Sequence, residues 1–181
     1  MKIAITGHTN GIGQALAREY QQRGHEVMGL SRRTGQNIHL TEKITNAVAD
    51  CDVFVNNAQS GFAQTQLLWN VAQRWQNTGK SIVVISTMMA QDPVSVMPGY
   101  DMAQYRVQKV ALEESVRQLR LIDPTLKIYL VRPGDIATTP EKTVPPSADL
   151  ELWTRTLMAI LYDTDPSLQV YDISLGPGYD T

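Results

Sequence analysis

Short apolar runs alternate with helix-patterned segments along nearly the whole chain, and that alternation leaves few folds open. Lys2 to Thr6 and Glu26 to Leu30 read as short buried strands, separated by a helix from Gln14 to Arg23 that ends near Gly24. A helix around Glu42 to Asp50, a strand at Asp52 to Asn56, a helix around Gln64 to Asn77 and a strand at Ser81 to Ser86 continue the pattern. The rest reads as a long helix from about Met102 to Ile122, a strand at Lys127 to Arg132, a helix at Ala148 to Tyr162 and a last strand at Leu168 to Ser174. Strands spaced by helices predict a parallel sheet covered on both faces, because right-handed crossovers between parallel strands need them. The expectation is a doubly wound α/β domain spanning residues 1–181, since no repeat, low-complexity tract or linker divides the chain.

Composition narrows what such a domain can do. Hydrophobic residues at 43% and charged residues at 19% are ordinary for a soluble globular protein. A formal charge of −2, without a Lys/Arg-rich run, argues against a nucleic-acid partner. The single cysteine, Cys51, cannot form an internal disulfide and reads as a small buried thiol. No apolar run is long enough to span a bilayer and no basic-then-apolar leader opens the chain, so a cytoplasmic protein without membrane contact is expected. His8, His25 and His39 are scattered without ligand-spaced Cys or carboxylate partners, and no metal site is expected.

Between the first strand and first helix lies Thr6-Gly7-His8-Thr9-Asn10-Gly11-Ile12-Gly13. Glycines there allow a tight turn that brings backbone N–H groups close to phosphate oxygens, and the helix dipole favours an anion. The spacing differs from G-x-G-x-x-G, and a glycine-rich turn alone is equally a structural device; the strand-turn-helix setting favours a dinucleotide pyrophosphate. The second strand ends in Ser31-Arg32-Arg33, with no acid between Glu26 and Glu42. An acid at that point pairs with a ribose 2′-hydroxyl, whereas a 2′-phosphate needs a cation, so NADP(H) is preferred over NAD(H), with Arg32 as the main contact and Ser31 assisting. The alternative is that both arginines are solvated loop charges.

Tyr105 and Lys109 stand four apart in a helix-patterned segment and so share a face. A nearby ammonium favours tyrosinate and lowers the tyrosine pKa from its ordinary value of ~10, making it usable as a general acid/base. By itself the spacing is common on any helix.

Together the motifs, in their order, resemble the short-chain dehydrogenase/reductase family. The T-G-x-x-x-G-x-G loop at Thr6 to Gly13, Asn56-Asn57-Ala58, the strand Ile82 to Thr87, the pair Tyr105/Lys109, and Arg132-Pro133-Gly134-Asp135-Ile136-Ala137-Thr138 carry the resemblance. It implies a Rossmann-type sheet of about seven strands in the order 3-2-1-4-5-6-7. It also implies hydride transfer between NADP(H) and a small carbonyl or alcohol, and association as a homodimer or homotetramer. Thr87, Tyr105 and Lys109 would then be catalytic: Thr87 holding the reacting oxygen, Tyr105 exchanging its proton, and Lys109 binding the nicotinamide ribose while depressing the tyrosine pKa. The cofactor would be held by Gly7, Thr9, Asn10, Gly11, Ile12, Gly13, Ser31, Arg32, Asn37, Ile38, Asn57, Ala58, Tyr105, Lys109, Pro133, Gly134, Ile136 and Thr138.

The chain departs from the pattern in places. Gln59 stands where the family usually has glycine, and the active-site asparagine has no clear counterpart: Asn70 lies too deep in its helix, while Gln64 and Gln66 fill similar sequence space without being assigned. At 181 residues the chain is short for that family, and the segment after Thr138 is too short for a helical lid. Two other readings remain: a non-catalytic NADP(H)-binding sensor or partner subunit, and a nucleotide-sugar epimerase or dehydratase, which the threonine at position 87 suits but for which little room is left for a sugar-binding subdomain.

Overall fold

In a computed structural model, residues 1–91, 102–138, 148–165, 168 and 170–177 are described. The loop between Thr87 and Tyr105 that holds Pro93, Met97 and Pro98, and the proline-bearing stretch 139–147, lie wholly or largely outside them. Six strands, β1 (Lys2–Thr6), β2 (Glu26–Leu30), β3 (Val53–Asn56), β4 (Ser81–Ile85), β5 (Lys127–Pro133) and β6 (Asp172–Leu175), form one parallel sheet. Five helices accompany them: α1 (Gly11–Gln22), α2 (Thr41–Ala47), α3 (Ala63–Arg74), α4 (Met102–Ile122) and α5 (Leu150–Tyr162).

The doubly wound parallel architecture stands, but the sheet has six strands in the order β2-β1-β3-β4-β5-β6 rather than seven in the order 3-2-1-4-5-6-7. Residues 31–52, where an outer strand would lie, are taken up by a 3-10 turn at Arg32–Thr34 and the short helix α2. They leave too little chain for another strand with its own crossover, so β2 becomes an edge. Helix α1 starts at Gly11, inside the glycine loop, and the last strand runs later than its apolar pattern suggests.

Strand alternation divides the core between the two faces. Ala4, Phe54, Ile82, Val84, Ile128 and Leu130 point towards α2, α3 and α4, while Ile3, Ile5, Val55, Val83, Val131 and Ile173 meet α1 and α5. Trp75 is buried just past the end of α3, edge-on to Phe54. It packs the sheet face rather than a ligand, and each such burial contributes roughly 1.5–3 kcal/mol. Because every strand runs the same way, the residues after Thr6, Leu30, Asn56, Ile85 and Pro133 gather at one carboxyl edge. The chain leaves β1 towards β2 on one side and β3 on the other, making the crevice where doubly wound sheets take ligands.

Candidate active site

The loop after β1 is held from beneath. The Thr6 hydroxyl donates to the Val55 carbonyl at 3.3 Å and accepts from the backbone N–H groups of Asn57 (2.9 Å) and Ala58 (3.0 Å). The Asn57 side-chain amide donates to the Thr6 carbonyl at 2.9 Å. Gly7 has φ 72° and its N–H donates to the Leu30 carbonyl at 2.8 Å, tying the loop to β2 as well. Gly13 is required by contact: a Cβ there would overlap the Gly7 carbonyl oxygen and crowd the Asn57 amide. His8 turns its ring onto Gly29 of β2. The first turn of α1 carries no acidic side chain, and its amides face a cleft of about 670 Å³.

That cleft is lined by Gly7, Thr9, Asn10, Gly11 and Ile12 from the loop. Ser31, Arg32, Asn37 and Ile38 line its outer end, and Asn57, Ala58 and Thr138 its inner wall. Arg33, Gln36, His39, Gln59 and Ser60, outside the expected set, line it too. No Asp or Glu is among these residues. Ser31 is committed to a capping box with Thr34, its hydroxyl accepting from the Thr34 N–H at 3.3 Å, which fixes the turn presenting Arg32 and Arg33. Both arginines are exposed and make no ion pair among the described residues. Asn37 accepts from the His39 N–H at 3.2 Å, Ile38 is buried, and His39 meets the Ser60 hydroxyl at 2.9 Å. The buried Gln36 side-chain oxygen has no protein partner among the described residues. A glycine cradle, open helix amides, uncommitted guanidinium groups and an orphaned amide oxygen together fit a phosphorylated dinucleotide.

Gly13, Tyr105, Lys109, Pro133, Gly134 and Ile136 do not line this cleft. Pro133 ends β5, the Gly134 N–H donates to the Leu175 carbonyl at 3.1 Å, and Ile136 is buried beside its bridge to Ala148. The turn that follows carries Thr138 back over Gly11.

Beyond the Ala58 end lies the buried second part of the site. Lys109 on α4 is 3% exposed, and its ammonium sits 5.6 Å from the centre of the half-buried Tyr105 ring. Its Nζ donates to the Gln64 side-chain oxygen and to the Ile85 carbonyl, both at 2.9 Å. Burial pushes its pKa down from the usual 10.5 to about 7, the negative charge of Glu113 opposing part of that. Thr87 stands two residues past β4, and its hydroxyl accepts from the Met89 N–H at 3.3 Å. Ser86 is committed elsewhere, donating to Glu113 at 2.6 Å, and Glu113 receives a forked contact from Arg132, the closest approach being 2.8 Å. Gln59 donates across to Gln108, neighbour of Lys109, joining the loop after β3 to α4.

Sequence reasoning left Gln64 unassigned and passed over Glu113. The signal for Glu113 was present, four residues after Lys109 on the same helix face. Among the described residues no cluster of His, Cys, Asp or Glu could hold a metal, and no helix is long and apolar enough to cross a membrane.

Comparison with known proteins bears on the fold and the family. The bovine (Bos taurus) "Epimerase family protein SDR39U1" is 34% identical over 73 residues, 40% of this chain and 25% of that protein, so the match spans about a quarter of the relative's length. An alcohol dehydrogenase from the archaeon Thermococcus sibiricus, solved with 5-hydroxy-NADP, superposes with a TM-score of 0.71 at 17% identity, covering 98% of this chain and 99% of that one. A short-chain dehydrogenase from Burkholderia cenocepacia J2315, solved with NADP, reaches 0.78 at 16% identity over 97% and 88%. These likenesses establish the fold as that of the short-chain dehydrogenases. The family model described as "NAD dependent epimerase/dehydratase family" matches residues 3–137, more than half of the chain. The chain therefore belongs to the NAD dependent epimerase/dehydratase family, built on the short-chain dehydrogenase/reductase fold.

Proposed function

We propose that this chain binds NADP(H) and transfers hydride between nicotinamide and a small carbonyl or alcohol substrate. The observation that carries the proposal is the pairing of two ends: a cleft with Arg32 and Arg33 at its rim and no carboxylate among the described residues of its walls, and the Tyr105/Lys109 pair beyond it. The loop from Gly7 to Gly13 would hold the pyrophosphate, Arg32 the 2′-phosphate, Asn37 and Ile38 the adenine side, and Thr138 the nicotinamide side. When bound, the cofactor supplies the hydride. The protein's part is orientation and proton handling: Thr87 holds the reacting oxygen, Tyr105 gives it a proton in reduction or takes one in oxidation, and the Lys109 charge stabilises the tyrosinate left behind. Association as a homodimer or homotetramer in the cytoplasm belongs to the same proposal.

Tyr105→Phe tests it. NADPH affinity is expected to stay within about twofold while turnover falls by roughly 10²–10⁴, the usual contribution of a positioned acid/base. Unchanged turnover would remove Tyr105 from the chemistry.

One observation favours a second reading, a non-catalytic NADP(H)-binding sensor or partner subunit. Lys109 gives two of its bonds to protein acceptors and neither it nor Tyr105 lines the cleft. NADPH binding without turnover on any carbonyl, in a wild-type protein, would select that reading.

A further inference from the structure

We infer that Gln64 is the positioning residue of the proposed reaction: its side-chain oxygen and the Ile85 carbonyl take two Nζ bonds of Lys109 and fix the direction of the third, along which the lysine's proton is exchanged. The inference rests on the hydride-transfer reading for its chemistry and on the contacts of Gln64 for its geometry.

Gln64 is the second residue of α3 and only 2% exposed. Its Nε2 donates to the Asn56 carbonyl at 2.8 Å and to the Ile85 carbonyl at 3.0 Å, and its own backbone carbonyl accepts from the Asn56 side chain at 3.0 Å. With both N–H bonds directed at carbonyls, the amide has one orientation. Flipped, it would set an oxygen against two carbonyls and an NH2 against the lysine, losing every bond. The side-chain oxygen is thereby aimed at Nζ.

A lysine ammonium carries three N–H bonds besides its bond to Cε, and the neutral amine carries two N–H bonds and a lone pair. The Gln64 oxygen and the Ile85 carbonyl accept two N–H bonds whether lysine is an ammonium or a neutral amine, so both contacts survive titration. The proton gained or lost is the one on the third bond. On release the ammonium becomes a neutral amine still bonded to Gln64 and Ile85, and the proton passes to the tyrosinate that Tyr105 becomes after protonating the substrate, re-forming the phenol, or, without substrate, to water. Burial has brought this exchange to about pH 7. The titratable and charged groups around Nζ among the described residues are Tyr105 and Glu113 on α4, with Arg132 of β5 acting through Glu113; α3 presents Gln64, and the β4 end presents a carbonyl and the hydroxyls of Ser86 and Thr87. Gln66, two residues on, is exposed and bonded to Asn70 at 3.0 Å, which makes it a control on the same helix.

The test is a titration of protein carrying 13Cε-lysine, without cofactor, alongside the side-chain amide signals of Gln64. In the wild type the Lys109 signal is expected to titrate near 7, with the Gln64 NH2 protected from exchange and its shift following the same midpoint. Gln64→Glu places a carboxylate against the lysine and is expected to raise that midpoint by about one unit or more. Gln66→Glu is expected to leave it within about 0.3. If the enzyme turns over, the pH profile of kcat moves with the Gln64→Glu midpoint while KM for NADPH changes little. An unmoved midpoint in folded Gln64→Glu protein, or a wild-type Gln64 NH2 that exchanges like an exposed amide, would overturn the inference; the second needs no variant to fold. A kcat profile that ignores the shifted midpoint would overturn it too, while leaving the hydride reading intact. A shifted midpoint in a protein that never turns over would retain the contact and end the reaction it is proposed to serve.

Discussion

The outer end of the cleft and its inner end are built on opposite principles. At the rim, Arg32 and Arg33 are exposed on a short capped turn and uncommitted to any carboxylate among the described residues, so their charge is available to a ligand and almost irrelevant to folding. Around Lys109, the charged groups Lys109, Glu113 and Arg132 are buried and already spoken for: Gln64 and Ile85 hold the lysine, while Arg132 and Ser86 hold Glu113. Electrostatic contributions follow burial, because water screens the first set far more than the second. Changes at the rim are therefore expected to alter recognition alone, whereas changes inside alter stability and proton chemistry together.

The contrast can be broken first at Arg132. Arg132→Met leaves the Glu113 carboxylate buried without its main partner, and a loss of about 3–5 kcal/mol of stability is expected in urea unfolding. A loss under about 1 kcal/mol would mean the inner network is solvated. The pH dependence of stability sharpens the same point. Folding lowers the Lys109 pKa, so below about 7 both states carry the proton and the folded state bears the whole cost of burying it. Between about 7 and the usual 10.5 the unfolded chain binds more protons, and stability rises by up to about 1.4 kcal/mol per pH unit. Unfolding midpoints at pH 7.5 and 9 should thus show the wild type gaining on Lys109→Met by roughly 2 kcal/mol; parallel behaviour would contradict a buried, titrating lysine.

Gly13→Val probes the junction between the two ends. Its side chain must displace the Gly7 carbonyl, at a cost of about 1–3 kcal/mol, and the displaced loop should bind both NADPH and NADH more weakly. The smallest effect is expected at the rim, where Arg32→Ala should weaken NADPH by roughly tenfold, about 1.4 kcal/mol, with NADH unchanged. Stability in that variant should stay within about 0.5 kcal/mol.

Local rules made most of the architecture legible. Apolar runs of strand length marked β1 to β5, and the glycine loop marked the start of α1 to within three residues. The strand number inferred from resemblance failed because residues 31–52 form a turn and α2 in place of an outer strand, a matter of chain length rather than of pattern. The last strand was displaced because alternating apolar residues such as Leu168 and Val170 do not by themselves say where pairing with β5 begins. At the site, residues beside glycine turns and on the Tyr105/Lys109 face were visible by spacing. Gln64 was not, since a glutamine in a helix's first turn usually faces solvent and only the tertiary approach of α4 gives it a lysine. The epimerase/dehydratase branch, which Thr87 suits but which was set third on grounds of size, is the one whose family model matches; the motif spacing itself is shared with its dehydrogenase relatives.

The most direct measurement of the central claim is a calorimetric titration of the purified protein with NADPH and, separately, with NADH. NADPH binding at least tenfold tighter than NADH is the predicted result, with the difference abolished by Arg32→Ala. Equal affinities, or a preference for NADH, would contradict the reading of the cleft rim as a 2′-phosphate site.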